Sequence, residues 1–321
     1  MNARTFSATL ALLLPAGAAL AQVDAALPPQ PDVVITGSLR AQRTLEAPFA
    51  ITRVDSQALR EAGPMINLSE SLARVPGLVV ANRSNYAQDL QISSRGFGAR
   101  AGFGVRGIRL YADGIPATMP DGQGQVAHFD LAGAARVEVL RGPFSVLYGS
   151  SSGGVIALFG APAREPSVEL SADAGSFGLG QVRAAVATPL AGGFDLKASA
   201  VAMDVRGFRP QSAADRQLAN LRLGWQGLND TVVVLAGSHR QQADDPLGLS
   251  PEQFAANPTQ TTLQALDFNT RKTVRQDQAG VQWRHRFDPA GLLQETQVMA
   301  YTGTRPVLQF LAIPPGPRRG R

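Results

Sequence analysis

The chain has no cysteine among its 321 residues, and this absence removes whole classes of structure and chemistry. Without thiols there is no disulfide framework, no thiolate metal site and no cysteine nucleophile. Aromatic residues make up only 6% of the chain, and the only lysines are Lys197 and Lys272. The net charge of +5 therefore comes from scattered arginines, without the basic stripe interleaved with aromatics that is typical of nucleic-acid binding. We expect no nucleic-acid partner.

Long hydrophobic runs are also lacking. The longest covers residues 8–20, is interrupted by Pro15, and is shorter than the roughly twenty apolar residues that a membrane-spanning helix needs. Arg4 precedes this run and the small-x-small pattern Ala19-Leu20-Ala21 follows it, so the sequence predicts a secretory signal peptide over residues 1–21. The mature chain is expected to leave the cytoplasm, and any membrane span must be made of β-strands.

Glycine and proline are plentiful, with 33 and 22 residues and no collagen-like period, which indicates many turns. Residues 22–47 are proline-rich at their start and are predicted to form a flexible leader. Residues 48–160 mix predicted strands with short helices, one capped by Asp55 and one opening at Asn67 with a glutamate three residues later. This mixture predicts one compact α+β domain.

After residue 165 the helical signals end and apolar residues alternate with polar ones at a period of two. Very short turns and long loops separate these segments, an arrangement typical of a transmembrane barrel. A soluble β-sandwich is the alternative interpretation of this region. We predict about seven strands, at residues 167–174, 181–190, 194–205, 217–226, 231–240, 274–287 and 293–304.

Two segments match the sequence patterns of catalytic or cofactor-binding motifs but lack the structural context that these motifs need. Residues 96–101 fit the dinucleotide-binding pattern, but that motif must open a helix, and further glycines follow at once, each costing a helix about 1 kcal/mol relative to alanine. Residues 149–153 fit the nucleophile elbow G-x-S-x-G, but an apolar run typical of a strand follows where a helix is needed. The three histidines are far apart in sequence. We therefore expect neither an enzyme nor a metal site.

Several motifs occur in a specific order and resemble those of one protein family. Residues 92–98 are I-S-S-R-G-F-G, residues 110–116 are L-Y-A-D-G-I-P, and residues 136–149 are R-V-E-V-L-R-G-P-F-S-V-L-Y-G, followed by G-G-V-I at 153–156. These segments resemble the plug motifs of TonB-dependent receptors. The segment D-V-V-I-T at 32–36 is similar to a TonB box. The resemblance is specific over residues 32–160 and continues beyond them only as a pattern.

The resemblance implies an α+β plug domain at residues 48–160 followed by antiparallel transmembrane β-barrel strands at residues 165–321, in an incomplete barrel of the outer membrane. It implies that the plug is locked to glutamates on the barrel wall through Arg95 and Arg141, with Glu138 alongside. It also implies that TonB of the inner-membrane energy-coupling complex adds a strand to the leader. The residues of this coupling segment are Asp32, Val33, Val34, Ile35 and Thr36.

The implied activity is active uptake of a scarce ligand, most often a ferric siderophore, by a protein surrounded by outer-membrane lipid. No cofactor is implied apart from the ferric chelate that is carried. Cobalamin, haem, nickel complexes and sugars are alternative ligands. Arg100, Gln123 and Gln125 lie in predicted plug loops and are the candidate ligand-binding residues, because an arginine suits an anionic chelate.

The number of predicted strands is much smaller than in the family, whose barrels have about 22 strands. The last residues are rich in proline and arginine, a composition that does not suit a membrane strand. We therefore expect a truncated barrel. The alternative is a non-transporting product whose plug serves only as a periplasmic binding module.

Overall fold

The computed structural model of the chain describes residues 33–34, 42–43 and 49–313, apart from residues 83, 150 and 289. The predicted signal peptide lies outside the described residues, as do Asp32, Ile35 and Thr36 of the coupling segment. Val33–Val34 forms strand β1, which pairs antiparallel with Gln42–Arg43 as β2. The described part of the coupling segment is therefore extended and paired with the chain itself.

The next part of the chain is a mixed sheet with short helices against it. Its strands are β3 (Ala50–Asp55), β4 (Leu78–Ala81), β5 (Gln91–Ser94), β6 (Ile108–Ala112), β7 (Ile115–Pro116), β8 (Arg136–Arg141) and β9 (Gly154–Phe159). Five of these strands form one sheet in the order β3-β8-β9-β6-β7, and β4 pairs with β5 as a separate hairpin. The strand β9 runs parallel to β6 and antiparallel to β8, so it lies at the centre of the sheet. We call this α+β unit the plug.

The helices of the plug are α1 (Ser56–Glu61), α2 (Ser69–Leu72) and α3 (Ser145–Tyr148). Asp55 caps α1 as predicted, since its carboxylate accepts the N–H of Ala58 at 2.9 Å. The predicted cap of α2 is wrong. It is wrong only in its Asn67 half: the Glu70 carboxylate accepts the N–H of Asn67 at 3.2 Å as a capping box requires, but the Asn67 side chain accepts the N–H and hydroxyl of Ser69 and not the N–H of Glu70. The helix begins at Ser69 and has only four residues.

The centre of the plug is a continuous hydrophobic core beneath the five-stranded sheet. Five of its side chains are fully buried, namely those of Leu72, Ile92, Leu110, Val137 and Ile156. Both faces of β8 are covered, since Val137, Glu138 and Val139 are all buried. The two segments that match catalytic motifs have the local structure expected from the sequence. Residues 96–101 form turns and open no helix, and strand β9 follows residues 149–153.

The second half of the described chain is one antiparallel sheet, which we call the wall sheet. Its strands are β10 (Ser167–Gly175), β11 (Leu179–Pro189), β12 (Phe194–Val205), β13 (Ala214–Gln226), β14 (Asp230–Asp244), β15 (Arg271–Arg286), β16 (Glu295–Thr304) and β17 (Val307–Phe310). Each strand from β10 to β16 pairs with the next one in sequence. The sheet is open, because among the described strands β10 at one edge does not pair with β16 or β17 at the opposite edge.

Two strands share the far edge of β15. The strand β16 pairs with its second half and β17 with its first half, so they are consecutive parts of one interrupted neighbour. The interruption is at Arg305-Pro306, where the proline has no N–H to donate and its carbonyl accepts the N–H of Arg275 at 3.1 Å. The prediction of about seven strands therefore matches seven positions in the sheet.

The loops of the wall sheet differ in length at its two ends. The connections β11–β12 and β13–β14 are a few residues long, whereas residues 245–270 connect β14 to β15. This long loop contains two helices, α4 (Pro251–Ala256) and α5 (Leu263–Asp267). Within the described residues, no helix is both long and apolar enough to cross a membrane.

The wall sheet has two different faces. One face turns toward the plug and buries both apolar and polar side chains, among them Val201, Met203, Arg216, His239 and Lys272. The opposite face, which we call the outward face, exposes a band of large apolar side chains. This band includes Val168, Leu170, Val182, Val186, Leu221, Val234, Val281, Trp283 and Val298.

Candidate functional site

The plug meets the wall sheet through buried polar contacts, and this interface is the candidate functional site. The most enclosed ion pair joins the plug carboxylate of Asp89 to the Nζ of Lys272 on β15, at 2.9 Å. The two side chains are only 15% and 7% exposed. The amide of Gln125, also buried, donates to the same carboxylate at 3.0 Å. A strand cation and a plug amide thus share one plug carboxylate.

A second contact joins the plug to the start of the long loop. Asp245 is 3% exposed and accepts hydrogen bonds from the side-chain amides of Asn85 at 2.7 Å and Gln88 at 2.5 Å. Close by, the amide of Gln241 donates to the carbonyl of Tyr86 at 2.6 Å. The plug segment around residues 85–88 is therefore held both by β14 and by the loop that leaves it.

A third contact lies toward the opposite, short-turn end of the wall sheet. The carboxylate of Asp130 accepts the hydroxyl of Ser199 at 2.6 Å, and Lys197 donates to the carbonyl of Gly133 at 3.1 Å. Both strand residues lie on β12. Since Lys197 and Lys272 are the only lysines, both lysines of the chain point from the wall sheet to the plug.

Plug carbonyls accept a further group of polar contacts. The carbonyl of Pro64 accepts from the side chains of Gln181, at 2.6 Å, and Arg183. The carbonyl of Ile66 accepts from Arg216, at 2.6 Å, and that arginine is only 5% exposed. These guanidinium and amide groups come from the two strands β11 and β13 and bind the same short plug segment.

Apolar contacts between plug and wall sheet are fewer and smaller. Ile66 and Ala87 pack against Met203, Val205, Ala214 and Ala243, and Ile115 packs against Val233, Leu235 and Met299. They fill the gaps between the polar contacts. The interface is thus mainly hydrogen-bonded, in contrast to the apolar core of the plug.

The predicted lock residues lie at a different place from these contacts. Arg141 donates within the plug, to the carbonyl of Pro76 at 2.5 Å and the hydroxyl of Thr52 at 3.0 Å. Burial, together with the nearby charge of Arg95, lowers the pKa of Arg141. Neither guanidinium has a carboxylate partner among the described residues. Glu138 is fully buried in β8 and pairs with Arg136 at 2.7 Å.

The predicted ligand residues do not form one cluster. Arg100 is exposed in a turn. Gln123 is half-buried and accepts weakly from Arg106, at 3.4 Å. Gln125 is only 8% exposed and is engaged with Asp89. The structure therefore brings Gln125 into the plug–wall interface and leaves the other two on the surrounding turns.

Sequence reasoning missed most of the interface residues, including Asp89, Asp130, Asp245, Lys197 and Lys272. One signal could have identified the two lysines. Each is a charged residue in or beside a segment of alternating polarity. A rare cation on the inward side of a strand needs a buried partner. Nothing in the sequence indicated which plug carboxylate that partner would be.

Asp113, in the turn between β6 and β7, has an unusual electrostatic setting. Its carboxylate accepts the N–H of Gly160 at 2.5 Å, next to the start of the wall sheet. Burial raises the pKa of Asp113, and the N–H of Gly160 and the charge of Arg222 only partly oppose this effect. The surroundings therefore favour the uncharged form of the side chain.

We expect Asp113→Asn to make the folded chain more stable at pH 7. A carboxyl whose pKa is raised on folding contributes stability below its unfolded value of 3.8 and loses that contribution as the pH rises through the folded value. Asparagine keeps the acceptor for Gly160 without the charge, and it tolerates the positive φ of 48° found here. Urea unfolding should show the gain at pH 7 and no difference at about pH 3. Lower stability of the variant at pH 7 would contradict this assignment.

Comparison with known proteins identifies the fold. The family model described as the TonB-dependent Receptor Plug Domain matches residues 43–156. The chain is 30% identical over 128 residues to the hemin receptor of Yersinia pestis and 33% identical over 148 residues to the pesticin receptor of Yersinia pestis. These alignments cover 39% and 45% of this chain. The crystal structure of the unliganded ferric citrate transporter FecA matches with a TM-score of 0.65 and 21% identity, covering 79% of this chain.

The matches cover only part of each relative. The aligned regions are 18% of the hemin receptor, 20% of the pesticin receptor and 40% of the FecA chain. The FecA match shows that the plug and the wall sheet together have the fold of this class, with the wall sheet as an open part of a barrel. The motif order, the family model and the fold all agree. The chain therefore contains a TonB-dependent receptor plug domain at residues 43–156, followed by antiparallel strands in an open sheet, and it resembles the TonB-dependent outer-membrane receptors over these parts.

Proposed function

We propose that this chain serves as the ligand-gated, energy-coupled part of an outer-membrane uptake receptor. The observation that carries the proposal is the character of the plug–wall interface, which is built mainly from hydrogen bonds and ion pairs. Water can replace such contacts, whereas an apolar core resists hydration. A pulling force on the leader can then loosen the plug from the wall sheet while the plug core stays folded.

We propose that TonB of the inner-membrane complex binds the segment Asp32, Val33, Val34, Ile35 and Thr36 by strand addition. The pairing of Val33–Val34 with Gln42–Arg43 supports this proposal, because it shows that the segment accepts a strand as a neighbour. Strand addition depends on main-chain donors and acceptors and only secondarily on side chains. The proton-motive force then supplies the energy, since no nucleotide-binding motif is found in the sequence.

The outward face of the wall sheet is proposed to contact membrane lipid. Its exposed apolar band is continuous across neighbouring strands, and Trp283 and Phe287 lie at the short-turn end of that band. Aromatic side chains are typical of the interface between hydrocarbon and headgroups in outer-membrane barrels. Charged residues of the same face, such as Arg240 and Asp277, lie toward the long-loop end and pair with each other at 2.8 Å.

We propose that Arg95 and Arg141 bind a carboxylate on a part of the barrel wall other than the strands described above. Two neighbouring guanidinium groups repel each other, and the lowered pKa of Arg141 reflects that repulsion as well as burial. An anionic partner relieves both effects. Glu138 is proposed to support this region by holding Arg136 in place from the other face of β8.

The ligand is proposed to be a ferric siderophore or a related iron compound. The similar proteins support this class, since one is a hemin receptor and one a ferric citrate transporter. Arg100 and Gln123 are proposed ligand contacts on the exposed turns of the plug. Gln125 could contribute only when its hydrogen bond to Asp89 opens.

Proline at Val34 provides the test of this function. We expect Val34→Pro to abolish ligand uptake by cells that make the receptor, because proline removes a main-chain donor from the coupling strand. Ligand binding to purified protein should be unchanged, because the substitution lies in the leader. The matched control Val34→Ala keeps the donor and should retain most of the uptake. Uptake by the proline variant equal to that of the alanine variant would refute the coupling role.

A further inference from the structure

A cavity of about 280 Å³ lies between the plug and the middle of the wall sheet. On the wall side it is lined by small and amide side chains, namely Ser199, Asn220, Gly237 and Gln278, which follow one another across four strands. On the plug side it reaches His128 and the carboxylates of Asp113 and Asp130, and the charged side chains of Glu169, Lys197 and Arg222 also line it. Pockets for drug-sized ligands are about 300–1,000 Å³, so this cavity suits a small ligand or one group of a larger ligand.

Two buried histidines line this cavity, and they lie close enough to interact electrostatically. His128 belongs to the plug and is 8% exposed, whereas His239 belongs to β14 and is 1% exposed. Both rings line the cavity. None of their four ring nitrogens has a hydrogen-bond partner within the described structure. Leaving a buried polar group unpaired costs about 1–3 kcal/mol, so an occupant that binds these nitrogens would be strongly favoured.

The surroundings of the two rings are rich in donors and positive charge. Arg216 and Arg305 each bury an Nε–H that has no acceptor among the described residues. Burial is the main reason that the pKa of His128 falls to about 3, and the charge of Arg305 lowers it further. The ring is therefore neutral near pH 7 and carries one N–H donor.

A cation does not suit this end of the cavity. Metal sites normally need three or more protein ligands, and the described residues include no group of three or more His, Asp or Glu side chains placed to hold an ion. The neighbouring guanidinium groups would also repel a cation. An oxyanion suits this end of the cavity for two reasons. Its oxygens accept hydrogen bonds from the unpaired N–H groups, and its negative charge is attracted by the nearby guanidinium groups.

We propose that His128 and His239 form an oxyanion-binding site in the cavity between the plug and the wall sheet. Its ligand is a carboxylate or phosphate group of small size, bound by one N–H from each ring. The site rests on the proposed function in one respect. An anionic ligand that moved past a loosened plug would meet it on the wall side, away from the exposed turns that carry Arg100 and Gln123.

Magnetic resonance of the histidine rings tests the site directly. The chain has only three histidines, and the third, His285, lies on the opposite face of the wall sheet, where it pairs with Asp230 at 2.8 Å. In the purified full chain labelled at histidine, malonate and inorganic phosphate are titrated separately. We expect the signals of His128 and His239 to shift in a saturable way and those of His285 to stay unchanged. Malonamide, the uncharged analogue of malonate, should cause no shift.

Substitution separates binding from folding. His128→Leu and His239→Leu each remove two unpaired nitrogens, and neither breaks a hydrogen bond found among the described residues. We therefore expect the thermal midpoint of each variant to equal or exceed that of the parent. The affinity for malonate should fall at least tenfold in both variants, whereas His285→Leu should retain it.

The outcomes have distinct meanings. A site that prefers phosphate to malonate favours a phosphate-bearing source, and the reverse preference favours a carboxylate ligand, while both support the oxyanion site. The proposal is overturned if neither malonate nor phosphate shifts the ring signals of His128 and His239 in the parent chain, a measurement that needs no variant to fold. Equal shifts with malonamide would also overturn it. None of these measurements involves TonB or uptake, so failure here leaves the Val34→Pro test independent.

Discussion

Gly154→Ala is expected to unfold the plug. Gly154 is the first residue of β9 and has a φ of +115°, in the region that only glycine adopts without strain. A Cβ at this position would lie 1.9 Å from the carbonyl oxygen and 2.9 Å from the carbonyl carbon of Leu140. Both of these atoms are backbone, so relief of the clash requires β8 and β9 to separate. Because β9 is central in the plug sheet, we expect a loss of more than about 4 kcal/mol of stability.

Hydrogen exchange of the full chain measures this effect locally. Amides of β8 and β9 should lose most of their protection in the variant, while those of β12 to β14 in the wall sheet should change much less. Gly102→Ala is the matched control, because Gly102 is also in the plug but has no heavy atom within 4 Å of an added Cβ. If the plug amides of Gly154→Ala keep the protection of the Gly102→Ala variant, the packing described for β9 is incorrect.

Asp89→Asn and Lys272→Met are each expected to weaken the attachment of the plug by about 3–5 kcal/mol. Each substitution leaves the opposite charge buried, since the two side chains are 15% and 7% exposed. The double variant should be less damaged than the sum of the two single variants, because it leaves no unpaired charge. Asparagine can still accept from Gln125, so the local hydrogen bond is kept.

Urea unfolding of the four proteins gives the coupling between the two residues as a double-mutant cycle. A matched control is the exposed plug pair Arg106–Asp121, with an N–O distance of 3.5 Å and side chains that are 48% and 60% exposed. Asp121→Asn should change stability by less than about 0.5 kcal/mol, as is usual for a solvated pair. Strict additivity of the Asp89 and Lys272 substitutions would show that the pair does not hold the plug to the wall sheet.

Much of the fold could be predicted from local patterns. The segment Phe194–Val205 was predicted with its observed bounds, and most other wall strands differ from their predictions by a few residues at their ends. The N-cap at Asp55 was also predicted correctly. These features depend on neighbouring residues, whose period and capping chemistry are visible in the sequence. The capping box predicted at Asn67 is present only in part, because the Glu70 carboxylate accepts the N–H of Asn67 while the Asn67 side chain bonds to Ser69 and not to Glu70.

The candidate site could be predicted only in part. The motif residues Arg95 and Arg141 were found as a pair, and the structure places them close enough to influence each other. By contrast, Asp89 and Lys272 are 183 residues apart, and no pattern in either segment refers to the other. Contacts between distant segments depend on how two finished units pack together, and a local pattern contains no information on that packing.

The sequence by itself determined the order of the units, the strands of the wall sheet and the residues that share each strand face. It could not determine which face meets the plug. In β12 the apolar residues Val201, Met203 and Val205 turn inward against the plug, whereas in β15 the apolar residues Val281 and Trp283 turn outward. Alternation divides the residues of a strand into two faces, but it does not indicate which of the two faces the plug covers. Only the tertiary structure decides between the two sets, because the plug covers one side of the sheet, where it makes Lys272 a buried partner for Asp89 and turns His128 toward His239.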